Sequence, residues 1–316
     1  MKTTRLIILF FYLWLGISQA YAEYFRRIGL AEGMSSPSVM AIYQDQLGRM
    51  WFGTREGINL YDGGQITVFK GWMRVSEQDT ASVWLGNEVS AITGDRNGDV
   101  YFLIDDTLFK YFLRSGRFQP LSSSDVSVLA SFEGDIWYIR YDSLFHLKNG
   151  SEKAEMAFSL KGKPVVTCLT VKRNHIYVGT RNGLLVIDRR MPFGQKHLLE
   201  GTDIYSIFES SEGELWIGTR MHGLYRMDSR GKISKVPHLQ NSPEGISSEQ
   251  IRDFVEDDQG NVWFGTFDGL YEWHASTGQY RLIQIPHYMG GLSHSSIFSL
   301  YKDKQGTLWV GSYYGV

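Results

Sequence analysis

Residues 39–62 read VMAIYQDQLGRMWFGTREGINLYD, and this stretch decides the fold. Its aromatic phrase, WFGTREGINLYD from Trp51, returns in altered form from Tyr101, Trp137, Tyr177, Trp216, Trp263 and Trp309. The starting points lie 50, 36, 40, 39, 47 and 46 residues apart. A period of about forty residues built from strands and turns is the signature of a propeller blade. The expected fold is all-β: a seven-bladed β-propeller of four-stranded antiparallel blades, the last blade incomplete.

Working outward from the phrase, each repeat has an inner strand before it. Its first residue is β-branched (Val39, Val89, Val126, Val166, Ile204, Ile251, Ile297) and its fourth is large and apolar. The third is usually small: Ala41, Ala91, Val128, Cys168, Ser206, Asp253, Ser299. Small side chains suit strands that crowd a central axis, and Asp253 departs from that pattern. A turn follows, with Asp45 and Gly48 before Trp51, Asp95 and Gly98 before Tyr101, Asp257 and Gly260 before Trp263, and Asp303 and Gly306 before Trp309. Repeats three and five place Ser131 and Ser210 at the Asp position, and repeat four has Asn174 at the Gly position. Asp or Ser can bond backbone N–H groups two residues on, and Gly or Asn supplies the positive φ that closes a hairpin. Four repeats then run into Gly-Thr. A glycine inside a strand marks a close approach by a neighbour, expected here to be an aromatic ring of the adjacent blade. The tryptophans are expected to pack between blades rather than to form a ligand cage.

Tyr24–Ile28 precedes the first inner strand and fits the outermost place of the last blade, hiding the edge a closed ring must protect. The seventh repeat stops at Val316, where its third strand should start. The expectation is therefore a chain cut short, with marginal stability.

Composition bounds the rest. With 43% hydrophobic residues among 316 and a net charge of −2, the chain can bury a large core. It offers no clustered positive face for nucleic acid. Lys2, Arg5, the apolar run Leu6–Ile17 and Ala20-Tyr21-Ala22 read as a signal peptide over 1–22, with the propeller over 23–316. Export to the periplasm follows as an expectation. The single cysteine, Cys168, excludes an internal disulfide and reads as a structural thiol.

The segments EGMSSPSVMAIYQDQLGRMWFGTREGINLYDG, EGISSEQIRDFVEDDQGNVWFGTFDGLYEWH and GGLSHSSIFSLYKDKQGTLWVGSYYGV resemble two-component regulator propeller repeats. The resemblance covers Tyr24 to Val316. It is weakest in repeats two and three, where Ile104 and Arg140 replace the threonine. It implies the sensor region of a hybrid two-component histidine kinase of the Bacteroidetes type, which detects oligosaccharides released from polysaccharides. It also implies further propeller and signalling domains as partners, and a homodimer. No kinase motif lies in these residues, so no catalysis and no cofactor are expected of them.

A ligand would meet the turns between second and third strands. Arg55, Arg181 and Arg220 occupy equivalent turn positions in repeats one, four and five. Phe267 and Tyr313 take that place in repeats six and seven, with His222, Asp268 and Tyr314 adjacent. Guanidinium pairs with carboxylate or sulfate, and rings stack on pyranose faces, so this set suits an acidic sugar. The expected ligand-binding residues are Arg55, Arg181, Arg220, His222, Phe267, Asp268 and Tyr313, with no metal site. Rival readings are a propeller glycosidase, a virginiamycin-lyase-like enzyme using His175 or His222, and a non-catalytic interaction platform. A glycosidase needs two carboxylates at a set distance, one with a raised pKa, and no such non-repeated pair stands out.

Overall fold

The structure is a computed structural model. It describes residues 25–74, 82–122, 124–191, 194–283, 292 and 294–316. The signal peptide expected over 1–22, and Tyr24, lie outside the described residues. The compact unit that carries the blades begins at Arg27.

Apolar alternation and glycine turns produce six sheets of four antiparallel strands, each paired in chain order. In blade one these are Val39–Gln44, Met50–Thr54, Gly57–Tyr61 and Ile66–Phe69. The inner strands of blades two to six are Val89–Gly94, Val126–Phe132, Val166–Val171, Ile204–Glu209 and Ile251–Glu256. The seventh repeat is a two-stranded sheet, Ile297–Lys302 with Leu308–Ser312. Its inner strand lies between those of blades six and one, so the ring is closed. Six blades are built in full rather than seven. In the seventh, the place of a third strand is taken by Gly315 and Val316: Ser312 donates its N–H to the Gly315 carbonyl at 2.8 Å, as the turn glycine pairs in blades one, four, five and six. Ile28 donates to the Val316 carbonyl at 2.8 Å, and Val316 donates back at 3.0 Å. The N-terminal segment thus sits outside the seventh repeat as the sequence suggested, but as one reciprocal pair and not as a strand.

The turn after each inner strand shows why Asp recurs there. Asp45 is fully buried. Its Oδ1 accepts from the N–H groups of Leu47 and Arg49, and its Oδ2 from the indole of Trp51 at 3.0 Å. Asp257 and Asp303 hold Trp263 and Trp309 likewise, and Asp95 takes the Tyr101 hydroxyl. Gly48 closes the turn at φ 82°. Where Ser replaces Asp, the reach is lost: the buried indole nitrogens of Trp137 and Trp216 have no partner among the described residues. Asn174 does not adopt positive φ as expected. That hairpin is shorter and closes through Lys172 N–H to the His175 carbonyl at 2.9 Å.

The aromatics fill the spaces between blades. Trp51 packs against Phe102 and Tyr111 of blade two, and Trp216 against Phe254 and Phe264 of blade six. The strand glycines face something else. A Cβ on Gly53 would stand 2.7 Å from Val89 Cγ1, and one on Gly265 2.5 Å from Ile297 Cγ2. The close neighbour is therefore the β-branched opening residue of the next inner strand, joined at Gly179, Gly218 and Gly311 by the still nearer third residue of the blade's own inner strand, and not a ring. The 50-residue first interval is explained by an extra hairpin, Trp72–Arg74 with Ser82–Trp84, which the sequence reading did not anticipate.

Candidate functional site at the mouth of the axial channel

Every one of the seven inner strands carries a β-bulge at its second residue. A bulge inserts a residue that is left out of the ladder and re-aims its side chain. The seven bulged residues are Met40, Ser90, Ser127, Thr167, Tyr205, Arg252 and Phe298, and all of them line one cavity along the axis. It has a volume of about 580 Å³. The deeper wall is made by the small third residues, including Cys168, Ser206, Asp253 and Ser299.

The turns between second and third strands reach the same end of the channel. In blades two to six the turn residue donates its N–H to the carbonyl just before the inner strand. The pairs are Asp105 to Glu88, Tyr141 to Asp125, Arg181 to Val165, Arg220 to Asp203 and Phe267 to Gln250. The conserved-looking Thr explains the turn itself: Thr54, Thr180, Thr219 and Thr266 each donate a hydroxyl to the glycine carbonyl that ends it.

This frame brings some of the expected residues together. Arg181 and Arg220 line the channel. Arg220 pairs with Asp203 at 3.1 Å and lies 4.6 Å over the Tyr205 ring. Asp203 Oδ1 is buried and has no partner among the described residues. Phe267 is half-exposed, with the Arg252 guanidinium 5.6 Å from its ring. Tyr313 lies 6.1 Å from Phe298, and also packs on His294 and Tyr314. Arg55 is close enough to act electrostatically on Arg252. Of the expected residues only Arg181 and Arg220 line the cavity itself; Arg55, Phe267 and Tyr313 stand beyond its wall, and His222 and Asp268 are exposed on their turns, where their N–H groups bond the turn threonines.

Sequence reasoning missed Arg252, Tyr205 and Phe298. Arg252 sits between rings, 4.5 Å from Phe298 and 6.0 Å from Tyr205. Its buried Nε has no hydrogen-bond partner among the described residues. Burial, and after it the charges of Arg220 and Arg55, push its pKa below the usual guanidinium value. The signal that could have found it is the second inner-strand position, where residues as unlike as Ser90, Tyr205, Arg252 and Phe298 stand between a β-branched first residue and a mostly small third. Below it, burial raises the Asp253 carboxyl to about 7, although the N–H groups of Leu300 and Phe254 bond it at 2.7 and 2.9 Å. The bond to Leu300 ties blade six to the seventh repeat. Burial likewise pushes the Cys168 thiol up to about 12, which suits a packing role. His175 and His222 stand at opposite ends of the second strand of their respective repeats, so they share no site.

Residues 33–56, 198–221, 245–268 and 291–314 each match the family model described as "Two component regulator propeller". The chain carries two-component regulator propeller repeats. Each matched stretch runs from the loop before an inner strand to the turn at the channel mouth. Among curated proteins, Histidine kinase P4 of Formosa agariphila is 31% identical over 78 residues, or 24% of this chain and 5% of that protein. Among solved structures, this regulator propeller is similar to the extracellular domain of a putative hybrid two component system from B. thetaiotaomicron. The TM-score is 0.75 at 20% identity, over 93% of this chain and 41% of that one. A streptogramin B lyase shares the fold with a TM-score of 0.69 at 15% identity, over 94% of this chain and 98% of that one. The chain thus spans well under half of the two-component relatives it matches. No helix among the described residues is long and apolar enough to cross a membrane.

Proposed function

We propose that the chain is the ligand-sensing propeller of a two-component receptor, exported to the periplasm by residues 1–22, and that it binds an oligosaccharide at the channel mouth. The observation that carries this reading is the gathering of unlike side chains at one end of an otherwise repetitive ring. Arg220 and Tyr205 come from blade five, Arg252 and Phe267 from blade six, and Phe298 and Tyr313 from the seventh repeat. Aromatic faces stack on sugar rings, and guanidinium and carboxylate groups bond hydroxyls and acidic substituents. In the receptor, the propeller would work beside further propeller and signalling domains, which supply the catalytic activity.

Calorimetry of the purified chain against a panel of plant and algal oligosaccharides, with chromatography of the recovered sugar, tests the reading. Binding that leaves the sugar intact is the expected result. Turnover would favour an enzyme, and an absence of binding across the panel would favour an interaction platform.

A further inference from the structure

A guanidinium taken out of water loses hydration that only a partner of opposite charge or a set of acceptors restores. Two guanidiniums among the described residues show this: Arg226 meets Glu214, and Arg49 meets Asp45 at 2.8 Å. Arg252 has no such partner among the described residues; Arg117 shares the orphaned Nε, but it lies over Phe112 on an outer strand, whereas Arg252 stands at the channel mouth. Its neighbours are the rings of Phe298, Tyr205 and Phe267 and two further cations, Arg220 and Arg55. The nearest acidic side chain on its own strand, Asp253, is spent on the backbone N–H groups of Leu300 and Phe254. Asp203 is spent in part on Arg220. Arg181 adds another cation to the wall, and its side chain is exposed. Rings hold the Arg252 stem and face but cannot accept from its Nε–H in the guanidinium plane. The bulge holds the side chain toward the cavity before any ligand arrives.

We propose that Arg252 is the anion-binding residue of the channel mouth, and that the ligand class is an oligosaccharide bearing a carboxylate or sulfate rather than a neutral one. The inference rests on the channel mouth being the ligand site. The acidic group would take a bidentate bond from Arg252, with Arg181 and Arg55 adding longer-range attraction. Tyr205, Phe298 and Phe267 would exclude water around it and strengthen the bond.

Two measurements separate this inference from the sensing reading. In the first, melting is compared in sodium sulfate and in sodium chloride of equal ionic strength, for the parent chain and for Arg252→Met. Methionine keeps an apolar stem between the rings and removes the charge. Sulfate should raise the melting temperature of the parent more than that of the variant; an equal rise in both overturns the anion seat. In the second, a galacturonate trimer is titrated against its methyl ester, and a sulfated galactose trimer against its desulfated twin. The acidic member should bind about ten- to a hundredfold more tightly, and Arg252→Met should abolish that preference. A neutral sugar that binds as well as its acidic twin overturns the inference and leaves the sensing reading standing. A sulfate effect confined to the parent, with no sugar bound, supports the anion seat and counts against an oligosaccharide.

Discussion

A single carboxylate organises the turn in four of the seven repeats, and its value can be read by removing it. Asp45 accepts from two backbone N–H groups, an indole and a guanidinium in a site closed to water. Asp45→Ala strands those donors and should cost about 3 kcal/mol in urea unfolding. The opposite change is available where the turn has lost its acid. Trp216 Nε1 is buried without a partner opposite Ser210, so Ser210→Asp should add about 1 kcal/mol. Asp253 gives a prediction in pH. Its carboxyl is raised to about 7 in the fold against about 3.9 in an unfolded chain. The folded state therefore holds the proton longer, and stability falls as pH rises across that interval. Relative to Asp253→Asn, the parent should lose melting temperature between about pH 4 and pH 7; parallel profiles for the two proteins would refute this.

At the scale of strands, the axis is packed by contacts between successive inner strands, and the strand glycines make room for them. A Cβ on Gly218 would stand 2.8 Å from the Ile251 carbonyl oxygen of the next blade. Gly218→Ala should therefore destabilise by about 1–3 kcal/mol, with hydrogen exchange rising in both Leu215–Thr219 and Ile251–Glu256. The sequence showed that a neighbour must approach there but not which one, because a glycine reports empty space and says nothing of what fills it. The same limit applied to the site. Turn positions were legible because Gly-Thr, or Gly-Ser in the last repeat, fixes their register, which is how Arg220, Phe267 and Tyr313 were placed on equivalent turns. Arg252 was hidden by alternation: in an unbroken strand, the second residue would point away from the face that the first and third share. Only the bulge between Ile251 and Asp253 turns it into the channel. The strand pattern was recognised from seven similar copies, yet the bulges follow from pairing across strands, which no run of residues spells out.

For the whole molecule, closure depends on the meeting of blade one and the seventh repeat. Buried Gln44 accepts from Lys304 N–H at 2.9 Å and donates to Gln305 at 3.0 Å, while Ser299 donates to the Val39 carbonyl at 3.1 Å. Ile28 and Val316 add their reciprocal pair. Gln44→Ala should loosen Ile297–Ser312 in hydrogen exchange well before the four-stranded blade of Val126–Ser159 is affected; uniform exchange would mean that the ring opens as one body. The bulged residues have a further consequence. Four of them, from Met40 to Thr167, are small or unbranched, and the three bulky ones stand side by side on blades five, six and seven. A wheel of alike spokes has no bearing by which to point. This one does: its three bulky spokes mark out one arc of the hub, and that arc ends at the joint where the wheel is fastened shut.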